Sequence, residues 1–162
     1  MHIAEQHPAA VDESTADLTW LLDNFRSRTS GVTAAILATT DGLMKAMSGL
    51  GRDDADRLAA VGAGMHSVAL GMRAVVGGDD DEVLRQALYD TSSRRTFVMA
   101  AAEGTLLIVV STQETNPTIV GHEMATLVRS VRSHLATPAR DAIEEGGVAR
   151  HPFPGIADGG ER

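Results

Sequence analysis

The stretch from residue 32 to residue 112 constrains the fold of this chain most tightly. An apolar run meets Asp41-Gly42, a dipeptide typical of hairpin turns because its glycine adopts positive φ without steric cost, and a return strand follows at 43–47. A small-residue helix then leads to strands at 83–91, 96–101 and 105–112. With a helix on either side, the order β-β-α-β-β-β predicts an α/β fold around one antiparallel sheet.

The two flanking helices are recognised by their apolar spacing. Apolar side chains recur at steps of three and four over residues 14–28, with Ser14 as an acceptable N-cap. A second helix is predicted over residues 117–135. There Asn116 is the expected N-cap and Pro117 takes the first position, where its missing N–H costs nothing.

The helix predicted over residues 54–76, with Asp53 or Asp54 as its cap, has an unusual composition. Its apolar residues alternate at steps of three and four, the spacing of a helix that packs against another helix. Between them lie small residues, and each glycine costs about 1 kcal/mol of helix propensity relative to alanine, so we expect something to approach this backbone closely. The seam residues are Leu58, Val61, Met65, Val68, Met72 and Val75.

Composition limits the class of protein. The 162 residues suit one domain, expected over 14–136, with flexible tails at 1–13 and 137–162 where periodicity is lost. A formal net charge of −8 argues against a nonspecific nucleic-acid surface, and the absence of cysteine excludes disulfides and thiolate metal sites. No apolar run is long enough to span a membrane, so we expect a cytoplasmic protein that reaches a membrane only through a partner.

No group of residues forms a candidate for catalysis, cofactor binding or metal binding. His122-Glu123 resembles part of a zinc-protease helix motif, but Thr126 stands where the second histidine is required. The segment 62–67 resembles a dinucleotide fingerprint inside a helix, where no N–H groups are free to bind phosphate. The acidic run 79–82 lacks the alternating ligands of a calcium loop. The chain is therefore expected to bind proteins rather than to act as an enzyme.

Three stretches in order, 18–25, 31–43 and 115–124, resemble bacterial members of the Roadblock/LC7 domain family. The likeness covers about residues 18–135. It implies the longin/profilin-like α-β-β-α-β-β-β-α sandwich, with the two terminal helices on one face of a five-stranded antiparallel sheet and the 54–76 helix on the other.

More narrowly, the chain resembles the Roadblock component of actinobacterial conservons, operons that also encode a sensor histidine kinase, a small companion protein and a Ras-like small GTPase. The resemblance implies a non-enzymatic homodimer that binds and regulates that GTPase. In the related bacterial polarity system, the Roadblock dimer stimulates GTP hydrolysis without inserting an arginine, although no residue of this sequence marks that activity.

Two surfaces are predicted from these features. A homodimer is expected to form through the strand 84–91, an edge with unpaired backbone groups, and through the helix 54–76. The outward face of the same helix is expected to bind the GTPase through Arg57, His66 and Arg73. The predicted dimer-interface residues are Leu58, Val61, Gly64, Met65, Val68, Gly71, Met72, Leu84, Gln86 and Leu88.

A small-ligand sensor module is the alternative function. Domains of the PAS, GAF and profilin-like types also place helices around a central antiparallel sheet. That function requires an internal pocket with polar lining, whereas the aliphatic strands here predict a closed core.

Overall fold

The computed structural model describes residues 9–77, 79 and 83–136, so the tail predicted at 137–162 and the first eight residues lie outside the described part. Three helices and five strands follow one another in the predicted order. Their bounds are α1 (Ala9–Arg28), β1 (Val32–Thr39), β2 (Met44–Ser48), α2 (Arg52–Val75), β3 (Ala87–Asp90), β4 (Arg94–Ala102), β5 (Thr105–Thr112) and α3 (Pro117–Ala136).

The strands form one antiparallel sheet in the order β2-β1-β5-β4-β3. The central strands β1 and β5 are buried along most of their length because both of their faces are covered, which explains their continuous apolar sequence. The predicted fold class, one five-stranded sheet between helices, is confirmed.

A separate apolar layer lies on each face of the sheet. On one face, α1 and α3 contribute residues such as Leu22 and Met124, which pack with Phe97 of β4. On the other face, α2 covers a smaller cluster centred on Ile36 and Ile108. The predicted distribution of the helices, two terminal ones on one face and the middle one on the other, is therefore correct.

Three predicted boundaries are wrong. Helix α1 begins at Ala9 rather than at Ser14, because the alanine and acidic residues before Ser14 are compatible with a helix although they show no packing periodicity. Helix α2 has Gly51 as its N-cap, without a side-chain hydrogen bond, and Asp53 and Asp54 lie in its first turn, where negative charge is favourable. Strand β3 is shorter than the prediction of 83–91.

The predicted turn and cap signals are present. Gly42 has φ +90°, and its N–H donates to the Thr39 carbonyl over 2.9 Å. The Thr39 N–H donates to the Leu43 carbonyl at 2.8 Å, so the connection is longer than a two-residue turn and β2 begins at Met44. The backbone N–H of Thr118 donates to Asn116 Oδ1 at 2.9 Å, which confirms Asn116 as the cap of α3.

Candidate interaction surface

Helix α2 contacts the sheet through its smallest side chains. Ala55, Ala59 and Gly62, spaced at four and three residues, are its buried positions. A Cβ atom at Gly62 would lie 2.2 Å from Cδ1 of Ile108 on β5, so a side chain here would collide with the core. The close approach that the glycines predict is therefore real at Gly62, where the helix backbone rests against the sheet.

The large aliphatic residues of α2 form a stripe that the described part of the chain leaves mostly uncovered. We call Leu58, Val61, Met65, Val68, Met72 and Val75 the α2 stripe. Leu58 and Met65 are partly buried against the sheet. The other four residues are exposed, by 58% for Val61, 66% for Val68, 59% for Met72 and 85% for Val75. Solvent exposure of so many apolar side chains on one helix marks an interaction surface.

The second half of α2 overhangs the sheet. All the buried residues of α2 lie at or before Gly62, and none occurs between Gly64 and Val75. Gly64 and Gly71 are exposed, and a Cβ atom at either position would meet nothing within 4 Å. A hollow of about 740 Å³ opens between this half of α2 and residues 83–86. The overhang thus has both accessible backbone and unfilled space.

By length and hydropathy, α2 is the one helix among the described residues that could cross a membrane. Its most apolar window has a mean hydropathy of 1.3, and 11% of that window is buried. The first half of α2 nevertheless packs on the sheet through Ala55 and Ala59. The apolar character of α2 is therefore that of a partly covered helix whose outer stripe is left open by the described residues.

Strand β3 has a free edge. It is the last strand in the sheet order, and β4 is the one described strand that pairs with it. Tyr89 is 59% exposed and lies on the α2 side of the sheet, because its neighbour Ala87 packs in the α2 cluster two residues before it. Leu88 is exposed on the opposite side, across from Phe97. The free edge therefore carries apolar side chains on both faces.

The remaining predicted strand residues lie outside β3. Leu84 and Gln86 precede Ala87 and are partly buried in an extended segment without ladder pairing. The side-chain oxygen of Gln86 reaches α3, where it lies 3.1 Å from the position of a Cβ atom on Gly121. Gln86 therefore contacts its own chain on the α3 side, whereas the predicted interface uses the α2 side.

Arg57, His66 and Arg73 do not form the single outward face that was predicted. At 3.6 residues per turn, the separation of nine positions from Arg57 to His66 makes two and a half turns, so the two side chains lie on opposite sides of α2. Arg57 is 81% exposed and lies 3.7 Å from Asp54. His66 is half-buried, and its Nδ1 atom is inaccessible to solvent and has no hydrogen-bond partner among the described residues. Arg73 is also half-buried and lines the hollow beneath the overhang. Of the three, Arg57 is the one available on the outer face.

A polar network fixes the end of β3. The Arg95 guanidinium donates from Nε to Asp90 Oδ2 at 3.2 Å and from Nη1 to the carbonyls of Gln113 and Thr115 at 3.0 and 2.7 Å. The Gln113 amide donates to Asp90 Oδ1 and to the Thr91 carbonyl. The hydrogen bond from Gln113, followed by the hydrogen bond and charge of Arg95, lowers the pKa of Asp90 despite an opposing effect of desolvation. This network holds the edge strand in place and presents no reactive group.

Among the described residues, no group of three or more histidine, aspartate and glutamate side chains could hold a metal ion. His122 is exposed on α3, next to the partly buried Glu123. Of the acidic run 79–82, only Asp79 is described, and it is exposed. The described surface offers apolar contact area and scattered charges rather than a chemical centre.

Tyr89, which is not among the predicted interface residues, adds an exposed aromatic side chain to the α2 side of the free edge. The alternation of strand residues could have identified it, because Ala87, Tyr89 and Thr91 share one face. The imperfect alternation upstream, with Arg85 next to Gln86, concealed that pattern.

Comparisons with known proteins identify the domain. A family model described as Roadblock/LC7 domain matches residues 18–111. A solved Roadblock/LC7 domain from Streptomyces avermitilis is 38% identical, with a TM-score of 0.66 over 74% of this chain and 98% of that chain. Myxococcus xanthus MglB is 12% identical, with a TM-score of 0.64 over 75% of this chain and 97% of that one, a likeness of fold alone.

The fold also resembles that of profilins. Acanthamoeba castellanii profilin II is 17% identical, with a TM-score of 0.52 over 72% of this chain and 98% of that chain. A comparison with curated proteins gave no match.

Proposed function

Because the chain belongs to the Roadblock/LC7 domain family, we propose that it is a non-enzymatic homodimeric scaffold that binds and regulates a Ras-like small GTPase. The GTPase partner follows from the family resemblance. The unpartnered apolar surface of α2, together with the free edge of β3, is the observation that carries the proposal.

Self-association accounts for two features of this surface at once. A two-fold axis beside β3 pairs its free edge with the same edge of a second copy, and the sheet then continues across the interface. The same axis brings two overhanging halves of α2 together, so that exposed residues such as Val68 and Met72 are buried. Gly64 and Gly71 leave space for the second helix to approach.

Regulation through surfaces fits the chemistry of the described residues. They contain no candidate metal cluster, and Asp90, with its lowered pKa, is engaged in a network that positions β3. We infer that the chain acts by binding the GTPase and altering its conformation, either as an activator of GTP hydrolysis or as a scaffold. The proposed setting is a conservon, with a sensor histidine kinase and a small companion protein as further partners and with recruitment to the membrane through one of them.

Two measurements test the proposal in order. Light scattering of the full chain at tens of micromolar should give twice the monomer mass, and a monomeric mass at that concentration would contradict the dimer. The dimer should then bind the purified GTPase encoded beside it, loaded with GDP or with a GTP analogue. Absence of binding in both nucleotide states would remove the regulator function.

The small-ligand sensor gains no support from the described cavities. The cavity of about 740 Å³ opens between the overhang and residues 83–86, at a surface that a second copy would cover. It is lined mainly by aliphatic side chains rather than by convergent polar groups.

A further inference from the structure

A groove with basic walls runs along the second half of α3, on the face of the sheet opposite α2. One hollow of about 460 Å³ lies between α3, the end of β4 and residues 83–86. A second hollow of about 540 Å³ continues toward the end of α3 and the turn between β4 and β5. The side chain of Arg132 lines both hollows, so they form one groove, which we call the α3 groove.

The charge of the α3 groove is opposite to that of the chain. Its lining includes four cations and one acid, Glu103, in a chain whose formal net charge is −8. None of the four takes part in the ion pairs found among the described residues. The four cations are Lys45, Arg85, Arg129 and Arg132.

The hydrogen bonds of these cations go to neutral acceptors. Arg132 Nε donates to the Ala101 carbonyl at 2.6 Å, Arg129 Nη2 donates to Thr126 Oγ1 at 3.0 Å, and Lys45 Nζ donates to Thr105 Oγ1 at 3.2 Å. A guanidinium carries five N–H donors, so both arginines keep several donors for another acceptor. The positive charge of the groove is therefore oriented but not neutralised.

The floor of the groove is apolar. Met99 is partly buried on the α3 side of β4, and Val128 is buried on α3. Leu135 continues this surface to the end of the helix. An occupant with one aliphatic side chain flanked by carboxylates would match both the floor and the walls.

We propose that residues 141–145, which follow the described end of the same chain, dock in the α3 groove. This segment reads Asp-Ala-Ile-Glu-Glu, with Ile143 between acids, and it begins five residues after Ala136, which itself lines the groove. In this proposal the chain turns back at Pro138, a residue type that kinks or breaks helices. Asp141, Glu144 and Glu145 then face the cations, and Ile143 covers the apolar floor.

The distances permit this arrangement. Arg129 precedes Ala136 by seven residues, about 10 Å along α3 at 1.5 Å per residue. The nine residues from 137 to 145 can extend to about 30 Å, enough to reverse and reach Arg129. A segment tethered this closely has an effective concentration on the order of millimolar, so weak contacts suffice to seat it.

Paramagnetic relaxation tests the docking in the full chain. Since the sequence has no cysteine, Ala142→Cys provides a single position for a nitroxide label. Amide signals of Ala100 and Val128 should lose most of their intensity relative to the sample with reduced nitroxide, while signals of Ala60 on α2 should keep theirs. Equal intensities at all three positions would overturn the proposal.

Charge exchange identifies the contacts. In the spin-labelled chain, the double change Glu144→Lys and Glu145→Lys should restore the intensity of the groove signals. The single change Arg129→Glu should do the same. The described hydrogen bond of Arg129 is to Thr126 on the same helix. Combining the two exchanges should broaden those signals again. Asp158→Lys, a matched change farther along the chain, should leave the broadening as it was. Broadening that persists after both single exchanges would contradict the charge pairing.

A mixture of isotope-labelled chains and separately spin-labelled chains identifies which copy supplies the segment. Docking within one chain predicts no broadening in the mixture, because the observed chains then carry no label. Broadening in the mixture equal to that seen when one chain carries both the isotope and the nitroxide would overturn the proposal. The segment would then come from a second copy. Because this readout requires no GTPase, it is independent of the regulator function.

Discussion

At the scale of single residues, Gly62 is a position where packing of α2 against the sheet leaves no room for a side chain. Gly62→Ala places a methyl group on the fully buried Ile108, at 2.2 Å from Cδ1. Overpacking costs about 1–3 kcal/mol, which outweighs the propensity gained when glycine becomes alanine. We therefore expect a lower free energy of unfolding by denaturant at fixed chain concentration.

Gly71→Ala is the matched control, because Gly71 lies in the same helix with nothing within 4 Å of its Cβ position. Because Gly71 also belongs to the predicted dimer interface, this comparison is made on dissociated monomers, where the stability of Gly71→Ala should be unchanged or higher by up to about 1 kcal/mol. If Gly62→Ala were as stable as Gly71→Ala, the close approach of α2 to β5 would not be a constraint.

Asp90 gives the edge of the sheet a pH dependence. Its pKa is lowered by Gln113 and Arg95, so its carboxylate form is favoured in the folded state. The resulting stability is present above the unfolded-state pKa of about 4 and is lost as the pH falls through the lower folded pKa. Asp90→Asn should therefore be less stable than wild type at pH 7, and the gap should narrow as the pH falls below 4.

Denaturant unfolding of both proteins between pH 7 and pH 2.5 measures that gap. When Gln113→Ala is introduced into both proteins, the stability gap between them at pH 7 should become smaller, because the amide of Gln113 donates to Asp90. A gap that does not change with pH would show that the network does not favour the charged form of Asp90.

At the scale of elements, α2 divides into a half that packs on the sheet and a half that needs a partner. Val68→Glu introduces a charge into the exposed stripe, and burying that charge in an apolar interface is unfavourable. We expect the dimer dissociation constant to rise by at least about tenfold, equivalent to about 1.4 kcal/mol. Light scattering over a dilution series measures the change.

Two further variants separate the interface from the fold. Ala74→Glu carries the same charge on an exposed position of α2 outside the stripe and should leave the dimer intact. Gly64→Leu fills the open backbone position without adding charge and should weaken the dimer. If Val68→Glu and Ala74→Glu dissociated equally, the stripe would not be the contact surface.

The same division of α2 explains what could be predicted from its sequence. The spacing of Leu58, Val61 and the later seam residues predicts a helix with a second apolar face, and the structure leaves most of that face open. Which side of the helix meets the sheet was not predictable, because Ala55 and Ala59 are small enough to pass for spacers. The prediction that His66 and Arg73 face outward is wrong for the same reason. Their side of the helix follows from which residues of the first half are buried against the sheet.

At the scale of the whole molecule, local signals sufficed for the list of helices and strands, whereas the placement of the helices on the two faces of the sheet came from the family resemblance. Continuous apolar runs identify β1 and β5, and Asn116 with Pro117 identifies the start of α3. The groove beside α3 was not predictable, because Lys45 and Arg132 are 87 positions apart in the sequence and meet only through the sheet order. Surfaces made from distant residues depend on topology, which periodicity does not encode.

Binding of the GTPase is the prediction that concerns the complete assembly. In the proposed function, the dimer presents the outer face of α2, where Arg57 is exposed beside Asp54. An exposed ion pair contributes less than about 1 kcal/mol, so Arg57→Glu should weaken binding by less than about fivefold, mainly through a slower association rate at low salt. Arg52→Glu is the matched control. Arg52 is also exposed, but it lies at the start of α2 and on another side of the helix, so this variant should bind like wild type.

Val68→Glu should impair GTPase binding more than Arg57→Glu does, because loss of the dimer removes the assembled surface rather than one contact at its rim. Surface-immobilised GTPase, loaded with GDP or a GTP analogue, allows the rates of all three variants to be compared at two salt concentrations. Equal binding by Val68→Glu and wild type would show that the monomer is sufficient. Measuring GTP hydrolysis beside binding then separates the two modes of regulation. A dimer that binds without raising the intrinsic rate of GTP hydrolysis acts as a scaffold, because its effect then lies in bringing its partners together.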